Sequence, residues 1–162
     1  MLRFAAAVAL AIWLGGLIAL GAVAAPSIFD VIAARQIAEG RALSGAIFGE
    51  ALRRFHLLAY ACGAVICLSL LLRAALGPRP PRFAWRVALT AIMLSATLYS
   101  GLVVSAKIAG AQQAIGAGVS ASSLPDGDPR RAEFGRLHGQ SSGLHLAVLV
   151  VGLGLLFLEL QD

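Results

Sequence analysis

Charge is scarce in this chain. Only 13% of its 162 residues are Asp, Glu, Lys or Arg, whereas 59% are hydrophobic; an ordinary soluble domain carries roughly 25% charged residues. Mean hydropathy is +0.86. A water-soluble protein this small has too much surface to hide so many apolar side chains, which excludes a soluble enzyme domain and a disordered chain. Cysteine is scarce too. Cys62 and Cys67 are the only two, and five positions apart on a helix they point about 140° away from each other. A mutual disulfide and a disulfide scaffold are excluded, and the two read as small packing residues. Methionine occurs twice, once as Met1, so a methionine-lined copper relay is not written here. There is no Walker loop, GxGxxG, HExxH or nucleophile elbow. Ser141 and Ser142 lie near His138, but their span holds no carboxylate to complete a hydrolase triad.

Long apolar runs are what the chain has instead. A membrane-crossing helix needs about 20 mostly apolar residues. Four stretches qualify: 4–25, 55–72, 87–106 and 139–158, each flanked by Arg, Lys, Glu or Pro. The first has the outline of a signal peptide, with Ala22-Val23-Ala24 before Ala25. It exceeds the usual apolar core of about 7–15 residues and holds Trp13-Leu14-Gly15-Gly16 at mid-span, so it is expected to stay as a span. The reading is therefore all-α: one integral membrane domain, 1–162, built as a four-helix bundle. A short interfacial amphipathic segment is expected after the first span, because Ile28, Phe29, Ile32, Ile47 and Phe48 recur near helical spacing among charges. Small residues at four-residue spacing (Gly15 and Ala19; Thr97, Gly101 and Ser105; Gly139 and Gly143) predict close helix packing. Asp128 before Pro129 predicts the capped start of the last helix.

The formal charge is +5. Its basic residues sit between the apolar runs rather than in one stripe, which suits topology and not a nucleic-acid partner. The link 73–86 holds four Arg in fourteen residues and no acid. Although eight basic residues fall on the opposite side and five on this one, the short link dominates by its closeness to the spans. Both termini are thus expected in the cytoplasm, in a bacterial inner membrane.

The polar residues of the spans are the candidates for chemistry. His56 opens the second span and His138 the fourth, at the same membrane face and similar depth. Arg53, Arg54, Lys107, Arg136, Glu50 and Glu133 belong to that end, as snorkelling anchors or as the rim of a pocket for an anion, a metal or a cofactor. His138 and His145 are two helical turns apart, about 10 Å along the axis, too far to share one ion. His138, Ser141, Ser142 and His145 follow an i, i+3, i+4, i+7 pattern, so that face is expected to turn inward towards His56. His56 and His138 are the best candidates for a metal, with Ser141, Ser142, His145, Arg53, Lys107 and Arg136 around them.

Trp13-Leu14-Gly15-Gly16, with Pro26 and Phe29, resembles the first-helix pattern of the bacterial domain-of-unknown-function 4149 family. Phe134-Gly135-Arg136-Leu137-His138-Gly139-Gln140-Ser141-Ser142, followed by Leu144, resembles its last-helix pattern. That family includes eukaryotic transmembrane protein 205 and is similar in layout to CopD-like four-helix membrane proteins, which include HemJ-type protoporphyrinogen oxidases. The resemblance implies a four-helix membrane domain and, through CopD-like proteins, haem or transition-metal handling. The expected function is a ligand-, ion- or metal-handling membrane protein rather than an enzyme. The alternatives are a haem-linked redox protein and an accessory subunit or assembly factor of a membrane complex. The expected partners are the lipid bilayer and another membrane subunit or a second copy. The topology is testable: a reporter fused after Asp162 that works only in the periplasm is expected to stay silent, and its activity would reverse the assignment.

Overall fold

The computed structural model describes residues 1–77 and 79–161. Four long helices carry the fold: α1 Leu2–Ala34, α2 Gly40–Leu76, α3 Phe83–Ile115 and α4 Pro129–Leu160. A 3-10 turn, Ala121–Ser123, sits in the last connection, and no strand occurs among the described residues. All four helices are long and apolar enough to cross a membrane. The protein is an all-α bundle of the multi-pass membrane kind.

The helices outrun the apolar stretches that predict them. A length of 33 residues spans about 50 Å, well beyond a hydrocarbon core of about 30 Å. Pro26 does not end α1. Residues Ala19–Ala24 widen into a π segment, and α-helix resumes at Ala25 with Pro26 in its first turn. There the bond register has already slipped, so the missing N–H and the ring are tolerated. The amphipathic segment expected after the first span is therefore not a separate short helix. Residues 25–34 and the start of α2 prolong α1 and α2, and the chain reverses between them at Arg35–Glu39, where Gln36 and Glu39 take left-handed φ of 52° and 60°. Ile28, Phe29, Ile32 and Phe48 are partly buried in this hairpin. Gly40 lets its arms close, since a Cβ there would press on Ile32. The same periodicity suits a lipid surface or a second helix: the second helix covers these four, while Val31, Ile37, Leu43 and Ile47 stay exposed. Asp128 caps α4 as expected: its carboxylate accepts from the Arg130 backbone N–H at 2.8 Å, and the Arg130 guanidinium beside it holds the carboxyl below the usual carboxylate range.

The core lies between Leu10, Trp13 and Leu14 of α1, Ala59 and Ile66 of α2, Met93 of α3, and Val148 and Leu155 of α4. Trp13 is fully buried. Three glycines permit the contacts: Gly16 against the Phe55 ring, Gly63 against Leu94 and Trp13, and Gly152 against Leu14 and Met93. They differ from most of the small-residue stripes read in the sequence. A Cβ at Gly15, Gly139 or Gly143 would meet nothing within 4 Å, so those positions face outward. Thr97 and Gly101 do face in.

One end of the bundle is tied by charge. Glu159, in the last turn of α4, is only 4% exposed. Its carboxylate pairs with Arg86 of α3 at 2.5 Å and with Arg73 of α2 at 3.0 Å. Its carbonyl accepts from Arg3 of α1 at 3.1 Å. Arg86 also donates to the carbonyls of Leu158 and Pro81 at 2.6 and 3.1 Å. Charge then recurs along each of α2, α3 and α4 about 30–35 Å further on, at Arg53, Lys107 and Arg136, taking 1.5 Å per residue. That interval matches a hydrocarbon core and places the α1–α2 hairpin beyond it.

Removing one partner of a buried ion pair strands the other charge, at a cost of about 3–5 kcal/mol. Glu159→Ala is therefore expected to lower the thermal unfolding midpoint of the detergent-purified protein sharply. Glu50→Ala, which breaks only exposed pairs with Arg53 and Arg54, should leave the midpoint nearly unchanged. Equal shifts would refute the assignment of the Glu159 cluster as the tie between helices.

Candidate functional site

The inward stripe of α4 runs through Leu137, Ser141, Val148, Gly152, Leu155 and Glu159, all buried, with His145 half-buried on the same side. This is a correction to the face read from sequence. His138 and Ser142 are exposed. His138 lies about 31 Å from Glu159 at 1.5 Å per residue, at the level of the charged residues, where exposure of a polar ring is cheap. It stacks on Phe134 with centroids 6.3 Å apart and planes within 6°. Arg53 and Arg136 are exposed and paired with Glu50 and Glu133 at 2.7 and 2.8 Å, and Lys107 is exposed. These charges form a rim and do not converge on a pocket with His138.

The structure instead brings His56 to His145. Their ring centroids are 5.5 Å apart and tilted by 31°. His56 is 4% exposed. Tyr60, one turn on, stacks beside it at 6.2 Å. Both Nε2 atoms are buried and without a partner among the described residues. Ser141 is the one hydroxyl of the expected face that is buried.

The third wall is α3, which opens into a π segment at Tyr99–Val104. Such bulges recur at functional sites because they re-aim backbone groups. The Ser105 hydroxyl donates to the carbonyl of Ser100 at 3.0 Å. Ser100 Oγ is buried and likewise unpartnered. Gly101 beside it sits so close to the Tyr60 hydroxyl and the His56 ring that a Cβ would overlap both. Tyr99, on the outer side, receives a hydrogen bond from Gln140 at 3.2 Å. Sequence reasoning missed Ser100, Gly101 and Tyr60. Only Gly101, within its small-residue stripe, left a signal.

This arrangement does not favour haem. The α3 backbone closes directly over His56 and Tyr60 at Gly101, leaving no planar slot on that side. A compact cation fits the chemistry better. Imidazole nitrogens bind zinc at about 2.0–2.1 Å, and two rings with centroids 5.5 Å apart can share an ion of that size. No group of three or more His, Cys, Asp or Glu is placed to hold a metal among the described residues, so further ligands must come from a hydroxyl such as Ser100 or from water.

A family model for a domain of unknown function, DUF4149, matches residues 8–117. The chain belongs to that family. The match covers most of α1 and all of α2 and α3, with His56, Tyr60, Ser100 and Gly101 inside it, and ends before α4 and His145. The match does not confirm a similarity to CopD-like proteins. No curated protein and no solved structure matches the chain.

The placement of α4 is open to labelling. In a background lacking Cys62 and Cys67, cysteines at 138 and 142 should react readily with a membrane-permeant maleimide, and a cysteine at 141 should be shielded. Shielding of 138 together with 141 would restore the face read from sequence.

Proposed function

We propose that this member of the family is a small ion-handling membrane protein, and that its site is the His56–His145 pair. The observation that carries the reading is the pair of buried, unpartnered Nε2 atoms on facing helices. Lipid cannot satisfy them. A neutral imidazole nitrogen that carries no hydrogen accepts a proton or a cation, and imidazole suits zinc, copper and nickel among metals. Ionisable residues within a membrane bundle commonly mark an ion pathway. His145 lies about 21 Å from the Glu159 level and about 13 Å from the Arg136 level, at 1.5 Å per residue, well inside the spans. The chemistry favours a divalent transition-metal ion, bound or passed on.

The test uses the full chain in nanodiscs with Co2+ alone as the spectroscopic probe. Wild type is expected to bind Co2+ with the visible absorption of a nitrogen-rich site. His56→Ala and His145→Ala should each weaken binding by roughly tenfold or more, the least that losing a direct ligand can cost given the 10–100-fold effect of outer-shell changes. His138→Ala should bind as wild type does. No binding by wild type, or loss on changing His138 alone, would overturn the reading.

A further inference from the structure

The inward stripe of α3 puts hydroxyl groups inside the bundle, at Thr90, Thr97 and Ser100, all buried. A serine or threonine within a helix ordinarily turns its hydroxyl back on a carbonyl of the preceding turn. Thr90 does so, donating to the Arg86 carbonyl at 2.8 Å. Ser105 does so across the π segment, donating to the Ser100 carbonyl at 3.0 Å. Ser100 does not. It is only 1% exposed, and its Oγ has no partner among the described residues. A buried hydroxyl in that state has given up water for nothing, unless something else meets it.

Depth says what it meets. Arg86 and Glu159 are paired, which sets α3 and α4 in register. Ser100 lies about 21 Å from Arg86, and His145 about 21 Å from Glu159, at 1.5 Å per residue. Gly101, next in the chain, is where α3 touches His56. A Cβ there would stand 3.0 and 3.1 Å from Cγ and Cδ2 of the ring, and Cδ2 is bonded to the unpartnered Nε2. The one hydroxyl of α3 left over is thus a residue away from the His56 ring and level with His145.

We propose that the Ser100 hydroxyl oxygen is the third protein ligand of the His56–His145 ion site, carried there by the π segment, so that protein and not water closes the site on the α3 side. This rests on the histidine pair holding the ion. Two ring nitrogens and an alcohol oxygen make a donor set without sulfur. Such a set suits divalent zinc, cobalt or nickel and not the cuprous ion, which thiolate and thioether ligands select.

The test grafts a thiol onto the position. A thiolate bound to Co2+ adds an intense near-ultraviolet charge-transfer band that nitrogen and oxygen ligands do not give. The parent is the full chain with Cys62→Ala and Cys67→Ala, in nanodiscs, with Co2+ alone as the probe. Ser100→Cys is expected to gain the band in proportion to the Co2+ bound. Thr97→Cys, on the same stripe about 4–5 Å away in depth at 1.5 Å per residue, should not gain it. Ser100→Ala should keep the visible absorption of the histidine site and bind Co2+ roughly tenfold more weakly, the lower bound for losing a direct ligand. Co2+ bound by Ser100→Cys without the band, an equal band in Thr97→Cys, or undiminished binding by Ser100→Ala would each overturn the proposal. If binding is then still lost in His56→Ala, the histidine pair stands and only the Ser100 ligand falls. Absence of Co2+ binding by the parent removes both. Ser100→Cys keeps nearly the size of the native side chain, so it decides even where Ser100→Ala fails to fold.

Discussion

Glu159 is a carboxylate that the bundle must keep paired, because neither lipid nor the apolar core offers it water. Its carboxylate pairs with Arg73 of α2 and Arg86 of α3, and Arg3 of α1 donates to the backbone carbonyl of the same residue, so this one residue fixes α1, α2 and α3 against α4. It also sets the rotation of α4. Counting back from Glu159 in steps of three and four gives Leu155, Gly152, Val148, His145, Ser141 and Leu137, the positions turned inward. An ion pair at one end thereby decides which histidine is half-buried some 21 Å away at 1.5 Å per residue. His145 lies on that stripe and His138 one step round from it.

The two polar clusters inside the spans differ in kind. At Glu159, opposite charges meet at 2.5–3.0 Å and carbonyls take further guanidinium donors, so the polar groups there answer one another. At His56 and His145 the buried Nε2 atoms have no answer among the described residues. The first arrangement holds helices together. The second is costly for a merely structural contact, since a buried polar atom without a partner loses its hydration for nothing. The π segment at Tyr99–Val104 lies against this second cluster and not the first, which concentrates the irregular backbone of α3 where the unsatisfied atoms are.

Much of this was legible in the residues, and what was not has a physical cause. Counting sets His56 level with His138, whereas the structure sets it against His145, two turns away. Four spans and the Asp128 cap followed from run length and turn chemistry. The helix ends did not, because the apolar spacing of 28–48 suits a lipid surface as well as a neighbouring helix, and Gly40 gave no sign that it would admit Ile32. The i, i+3, i+4, i+7 pattern turns His138, Ser141, Ser142 and His145 inward together, whereas the structure turns in only two of them. Near the charged level a polar side chain can face out, and only Ser141 and His145, deeper in, conform. Arg86 and Glu159 read as boundary charges because sequence places each at the edge of its own run. Their meeting depends on helices 73 positions apart, and no local pattern encodes that.

The same geometry makes the two faces of the protein unequal. On the Glu159 side the helices end almost at the boundary, tied by buried charge. On the other side α1 and α2 continue as a hairpin, and the ion pairs there, Glu50 with Arg53 and Arg54 and Glu133 with Arg136, are exposed and local to one helix. Pairs of that kind add little to stability and bind no helix to another. The His56–His145 pair lies nearer to this looser side, about 13 Å from Arg136 against about 21 Å from Glu159 at 1.5 Å per residue. Both π segments, at Ala19–Ala24 and Tyr99–Val104, fall at or beyond its level in the same direction. The part of the bundle that can yield without breaking a buried charge pair is therefore the part through which the histidines are closest to water.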